Sequence, residues 1–303
     1  MILYLKLLRP FNLLMVLLAQ GLVKYGLFEP FGISLALTPG SFAIMVIATL
    51  CIAAGGNVIN DIYDQEIDWI NRPKKVLVGK RISEKAAYNL YILLTVLGVG
   101  LGFVVANLVG KPALALVFIF SAALLYWYAT FLKSMLFIGN MVISSLVGFS
   151  ILMGILFDLY PAMEFQDKTL YLRLSKVVLY YALAAFYFNL MREITKDIQD
   201  VNGDKNGGRN TLPIVLGISR TKAIVIIMGL LGLFGVLFFA YFELYRVLFL
   251  LMYMVFALGG TLLVFTLQAW NAKKTKHFAR LSNLLKLIML LGLASLGFIK
   301  TLL

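Results

Sequence analysis

The chain has 303 residues, 62% of them hydrophobic and only 14% charged, with a mean hydropathy of +0.94. A soluble domain of this length carries roughly a quarter charged residues, so a soluble globular protein is excluded and an integral membrane protein built of helices is expected. The net charge of +13 requires no nucleic-acid partner, because a bias of Lys and Arg to the cytoplasmic face of a membrane accounts for it.

Nine apolar stretches are long enough to span, near 11–28, 41–60, 86–108, 112–132, 136–157, 176–192, 221–242, 246–268 and 283–302. Lys6 and Arg9 precede the first in the manner of a secretory signal. Its apolar stretch is too long for one and no small-x-small site follows, so it reads as a retained span. The second span ends in "NDIYDQEID" (60–68), the fourth in "YATFLK" (128–133), and the sixth in "KDIQDVNGD" (196–204). With the N-terminus in the cytoplasm, 20 of the 27 basic residues fall on the cytoplasmic side, including Lys6, Arg9, Lys133 and those of 72–85, 192–222 and 273–286. The other seven (Lys24, Lys111, Lys168, Arg173, Lys176, Arg246 and Lys300) fall in spans or on the far side, where the C-terminus also emerges. No linker or low-complexity tract divides the chain, so residues 1–303 read as one membrane domain. Cys51 is alone in a span and His277 sits among loop lysines, which excludes a disulfide framework, a thiolate or imidazole zinc site and a Ser-His-Asp triad.

The acidic residues carry the chemistry. Eight of 14 lie in two stretches, and both read D-x2-D-x3-D: Asp61, Asp64, Asp68 and Asp197, Asp200, Asp204. On a helix these spacings share one face, with Asn60 at the edge of the first set. Gly203 and Asn202 are expected to end the second helix near Asp204. Like charges so spaced repel, which calls for a compensating cation. All-oxygen ligands select a hard ion such as Mg2+, Mn2+ or Ca2+, and Mg2+ in particular is completed by substrate phosphates. Arg72, Lys74 and Lys75 flank the first set, Arg192, Lys196, Lys205 and Arg209 the second, and Lys133 lies on the only other polar turn nearby. Two carboxylate sets with a ring of cations suit a diphosphate held by Mg2+. Ordinary solvated loop ends are the bland alternative, and the repeated spacing in a chain so short of acid argues against it. Among weaker features, Gly55 and Gly56 suit close helix packing, and "GDKNGGR" (203–209) suits a mobile turn or a phosphate cradle. Tyr126, Trp127 and Tyr128 suit an interface belt, while Tyr180, Tyr181, Phe186 and Tyr187 suit a cavity wall or a core.

These residues resemble the UbiA superfamily of intramembrane prenyltransferases. The family pattern N-D-x2-D-x3-D is present as Asn60, Asp61, Asp64 and Asp68, followed by Asn71, Arg72 and Pro73. The second family motif, D-x3-D, matches Asp200 and Asp204, with Asp197 one turn earlier. "LRPFN" (8–12), with Arg9 and Asn12, and "YATFLK", with Tyr128 and Lys133, are similar to smaller family patches. The resemblance implies an all-α bundle of nine transmembrane helices around a central cavity open to lipid. It implies Mg2+ as cofactor, held by Asn60, Asp61, Asp64, Asp68, Asp197, Asp200 and Asp204. It implies a polyprenyl diphosphate donor and a lipid or aromatic acceptor, with Arg9, Asn12, Arg72, Lys75, Tyr128, Lys133, Asn189, Arg192, Lys196 and Arg209 toward the substrates. Catalysis would centre on Asp64, Asp68, Asp200, Asp204 and Lys133. Within the superfamily, residues 189–213 are similar to digeranylgeranylglyceryl phosphate synthases, implying a prenylglyceryl phosphate acceptor, and homogentisate-type members share much of this stretch. One departure is "NRPKKVLVGKR" (71–81), where Lys75 and Val76 replace the Arg and Pro usual in the family.

Other classes fit less well. A CDP-alcohol phosphotransferase would show D-G-x2-A-R, which neither stretch has. A cation or lipid transporter would place its ionisable residues near the bilayer midplane rather than at span ends. An aromatic acceptor such as a hydroxybenzoate remains the alternative within the family.

Overall fold

A chain this apolar has few ways to satisfy its backbone in lipid, and the helix, with every bond inside one segment, is the one it takes. The computed structural model describes residues 2–163, 168–245 and 247–301. Its nine candidate spans are α1 (Pro10–Phe31), α2 (Pro39–Tyr63), α3 (Glu84–Leu108), α4 (Pro112–Thr130), α5 (Ile138–Ala162), α6 (Lys168–Asn206), α7 (Ile218–Glu243), α8 (Leu248–Asn271) and α9 (Thr275–Phe298). Among the described residues there is no strand, only an isolated Val78–Ile82 bridge. Arg246 lies outside the described residues and so does the Lys300 side chain, so neither is placed on a face of the bundle.

Two spans depart most from their expected bounds. α9 begins at Thr275, eight residues before 283, so Lys286 lies three turns into the helix rather than at its start. α6 runs for 39 residues, about 58 Å at 1.5 Å per residue and nearly twice the ~30 Å hydrocarbon core. It ends at Asn206, two residues past Asp204 and so near the expected end. Gly203 serves close packing instead of ending the helix: its N–H donates to Asn71 Oδ1 (2.9 Å), and a Cβ there would run into the Asn71 amide. The helix closes one turn later, where Gly208 takes φ +68° and returns the chain, so that the Arg209 N–H donates to the Asp204 carbonyl (2.9 Å).

Packing joins α2 to α3 and α4, α6 to α5, α7 and α9, and α8 to α7 and α9, with α1 against α2 and α5. Glycines set the closest approaches. A Cβ at Gly148 would lie 2.7 Å from the Ala182 carbonyl oxygen, and one at Gly56 2.9 Å from Leu125 Cδ1. Every span except α3 contributes to the wall of one cavity of about 650 Å³. Outward faces are as apolar as the core, with Phe234 67%, Tyr241 69% and Leu248 71% exposed. In water such faces would demand a partner; in a bilayer, lipid is the partner.

At the end of the bundle opposite the aspartate motifs, Lys24 of α1 and Asp158 of α5 form a buried pair. Lys24 Nζ donates to Asp158 Oδ2 and to the Leu37 carbonyl, both at 2.8 Å, and Asp158 Oδ1 accepts from the Leu37 N–H at 2.8 Å. The pair ties two spans to the α1–α2 connection.

Candidate active site

The first motif lies where α2 ends. Asp64 leaves helical geometry (φ −93°, ψ 3°), yet the bonding runs through it, with the Asp64 N–H on the Asn60 carbonyl at 2.9 Å and the Asp68 N–H on the Asp64 carbonyl at 2.8 Å. A short helix, Gln65–Asn71, therefore continues the acidic face. It packs against the end of α6, where Asn71 Nδ2 donates to the Asp200 carbonyl at 3.0 Å. This clamp sets the two motifs side by side.

The arginines then cross over. Arg72, which follows the first motif, pairs with Asp200 of the second, donating to Oδ1 at 2.6 Å. Arg209, which follows the second, pairs with Asp64 of the first and holds Asp204 Oδ1 at 3.0 Å. Lys133 reaches Asp64 Oδ1 at 2.6 Å and Asn60 Oδ1 at 3.4 Å, while Asn60 Nδ2 donates to Asp64 Oδ2 at 2.7 Å. The turn bearing Lys133 is seated on α5 by Gly139, where a Cβ would lie 2.7 Å from Lys133 Cα. The Asn210 N–H donates to the Ser134 carbonyl at 3.0 Å, joining that turn to the Arg209 loop.

Arg9 pairs with Asp61 from a left-handed backbone (φ 55°, ψ 64°), a conformation costing an L-residue roughly 1–2 kcal/mol. Asp197 accepts from Asn140 Nδ2 at 2.7 Å. Among the described residues Asp68 makes no ion pair. Burial alone would raise the Asp64 carboxyl, but Lys133 and Arg209 outweigh it and hold it below the usual carboxylate range. Asp68 goes the other way, raised first by burial and then by the Asp64 and Asp61 charges. The Lys133 ammonium is lowered by burial, against the pull of Asp64.

Below this polar cap lies the cavity, lined by Asn60, Tyr128, Tyr180, Tyr181 and Tyr187 among many apolar side chains. Phe186 instead packs beside the α6–α9 core, and Tyr126 and Trp127 face outward. Arg9, Asn12, Asn189, Arg192 and Lys196 also line the wall. Asn189 donates to Ser144 Oγ at 3.2 Å, and Glu193 accepts from Arg192 (2.6 Å) and Lys196 (2.9 Å). Lys75 is exposed, and no hydrogen bond or ion pair of its side chain to the cap is seen among the described residues. Val76, where the family usually has Pro, is buried. Sequence reasoning missed Lys286, which lines the same wall and donates to Asn12 Oδ1 at 3.3 Å. Its one signal was a lone cation inside "LLKLIML".

Two motif arginines crossing to each other's aspartates above an apolar cavity is a site for an anion carrying a hydrocarbon chain. The sequence profile of the UbiA prenyltransferase family matches residues 14–287. The chain belongs to that family. As a UbiA prenyltransferase it is similar to the digeranylgeranylglyceryl phosphate synthase of Saccharolobus solfataricus, 33% identical over 252 residues, 82% of this chain and 83% of that one. Its fold is similar to the apo structure of a UbiA homolog from Aeropyrum pernix K1 (TM-score 0.66, 16% identity, 98% and 97% of the chains covered). A UbiA homolog from Archaeoglobus fulgidus bound to GPP and Mg2+ is likewise similar (TM-score 0.61, 17% identity, 97% and 99% covered). The bundle is thus a UbiA fold, and the chain is a multi-pass membrane prenyltransferase.

The UbiA cap fits a hard cation in its donor chemistry. Its ligands are all carboxylate or amide oxygens, yet no three acids among the described residues form a ready-made metal cage. That suits an ion which keeps waters and is completed by phosphate oxygens. The buried Arg72 Nε finds no hydrogen-bond acceptor among the described residues, leaving a donor for a phosphate oxygen.

Proposed function

We propose that this enzyme transfers a geranylgeranyl group from geranylgeranyl diphosphate to the free hydroxyl of geranylgeranylglyceryl phosphate, making a membrane ether lipid. The observation that carries the reading is the crossed pairing of Arg72 with Asp200 and Arg209 with Asp64 beside Asn60, which lines the apolar cavity. The name of the S. solfataricus relative supports the choice of acceptor. Asn60, Asp61, Asp64 and Asp68 on one side and Asp197, Asp200 and Asp204 on the other would hold Mg2+, the ion named with the A. fulgidus homolog. When bound, Mg2+ supplies Lewis-acid neutralisation of a leaving diphosphate.

The chain's own groups do the rest. The bond from the allylic C1 to the diphosphate oxygen breaks with its electron pair on the diphosphate, and Arg72, Arg209 and Lys133 stabilise the charge that develops there. The apolar wall keeps water from the allylic cation, and the faces of Tyr128, Tyr180 and Phe239, which line the cavity, shelter it. The acceptor hydroxyl then gives an electron pair to C1 and releases its proton to the departed diphosphate.

The same reading makes residues 1–303 a single catalytic domain of the cell membrane with the motif end in the cytoplasm. The 20-to-7 division of basic residues supports that orientation. Purified protein given geranylgeranyl diphosphate and Mg2+, with geranylgeranylglyceryl phosphate and 4-hydroxybenzoate in competition, tests the acceptor. The expected product is the ether lipid alone; prenylated hydroxybenzoate alone would overturn the acceptor while leaving a prenyltransferase.

A further inference from the structure

A second group of cations lines the cavity wall beside the carboxylate cap. Arg192 and Lys196, at i and i+4, share one face of α6, and Lys286 approaches from α9, which packs along it. Of the described residues lining this cavity, Arg9, Arg192, Lys196 and Lys286 are cationic and Glu193 alone is acidic. Glu193 is already taken on both oxygens, by Arg192 at 2.6 Å and by Lys196 at 2.9 Å. Lys286 is left with the neutral Asn12 amide oxygen at 3.3 Å and the Phe11 ring 5.2 Å away. The buried Arg192 Nε has no hydrogen-bond acceptor among the described residues.

Arg192, Lys196 and Lys286 with Glu193 carry a formal charge of two positive between them, with donors not yet used. Such a cluster repels itself unless an anion joins it. The paired carboxylates of the aspartate cap, Asp64, Asp200 and Asp204, are held by Arg72, Lys133 and Arg209 rather than by this group.

We infer that Arg192, Lys196 and Lys286 form a subsite for the phosphate monoester of the acceptor, with Lys286 as the residue that sets specificity for a phosphorylated acceptor. The inference rests on the acceptor proposed above and divides the cations by task. Arg72, Lys133 and Arg209 serve the diphosphate; Arg192, Lys196 and Lys286 serve the second, dianionic headgroup. The charges match, a doubly negative monoester against a net of two positive charges. A singly charged aromatic carboxylate would leave the cluster half neutralised. Asn60, which bonds to Asp64 and Lys133 in the cap, lines the same cavity as Arg192, Lys196 and Lys286, so the acceptor's hydroxyl and the donor's C1 can meet in it without either headgroup leaving its cations.

The test is steady-state kinetics on Lys286→Met and Lys286→Arg in detergent, with geranylgeranylglyceryl phosphate and with its dephosphorylated alcohol as acceptors. Lys286→Met should raise KM for the phosphorylated acceptor about 10- to 100-fold, the size of one lost charge-assisted bond. KM for geranylgeranyl diphosphate and turnover of the alcohol should hold, and Lys286→Arg should recover most of the loss. An unchanged acceptor KM in Lys286→Met, or a raised donor KM in its place, overturns the subsite and leaves the acceptor proposal standing. Wild-type protein that does not turn over the phosphorylated acceptor overturns both. Should Lys286→Met fail to stay monodisperse, the same KM comparison on Arg192→Gln decides.

Discussion

The two ends of the bundle both hold buried ion pairs, and they use them differently. At the far end Lys24 and Asp158 close on each other and on the backbone of Leu37, so each charged atom that makes a contact makes it within the fold. At the motif end one carboxylate, Asp64, is shared by Lys133 and Arg209, the Arg72 Nε is unmatched, and Asp68 is unpaired among the described residues. The first arrangement has no vacancy for a ligand and fixes helices. The second balances charge without completing it, so a diphosphate with its cation can exchange partners with the pairs. A buried ion pair thus reads as structural when its hydrogen bonds close, and as a site when they do not.

That contrast can be broken at either end. The largest effect is expected at Asp64: Asp64→Asn should lower prenyl transfer by at least about 1,000-fold, with the protein still monodisperse in detergent; near-normal turnover would remove Asp64 from the site. Next is the opposite end. Asp158→Asn leaves Lys24 buried without its counter-charge and should cost about 3–5 kcal/mol of stability, seen as a lowered Tm. Activity per folded molecule should not change, and a double variant, Lys24→Met with Asp158→Leu, should recover much of the Tm. Loss of specific activity in these variants would show that the far pair is not merely structural. Lys133→Ala, with one of two cations taken from Asp64, should raise the donor KM about 10- to 100-fold with little change in acceptor KM. The smallest effect is expected at Gly203→Val, which pushes the Asn71 amide off the end of α6. A shift of the two motifs should cost about 10-fold or somewhat more in kcat, and wild-type kcat would show that the clamp does not set their spacing.

Much of this was legible before any coordinates. The spans follow from hydropathy because lipid leaves the backbone no choice, and the repeated D-x2-D-x3-D marks the candidate site because acids are scarce elsewhere in the chain. The cross-pairing was not legible. Which arginine meets which aspartate depends on the docking of Gln65–Asn71 against α6, a contact between residues 128 apart for Arg72 and Asp200. The length of α6 was hidden because its two ends, 168–175 and 193–206, carry charged residues that a hydropathy window excludes from the 176–192 span. Lys286 was hidden by its neighbours, since a window that starts the last span at 283 places it at a loop edge. Lys24 falls in the first expected span and Asp158 one residue past the fifth, and nothing in the sequence joins residues 134 apart before the fold does.

The most direct test of the account is binding of a non-reactive diphosphate analogue, geranylgeranyl thiodiphosphate, measured with and without Mg2+ on wild type, Asp64→Asn and Asp200→Asn. If the two motifs form one site, binding by the wild type is Mg2+-dependent and either single substitution removes most of it. If either variant keeps wild-type, Mg2+-dependent affinity, the motifs act separately and the crossed arginine pairs are only a structural clasp.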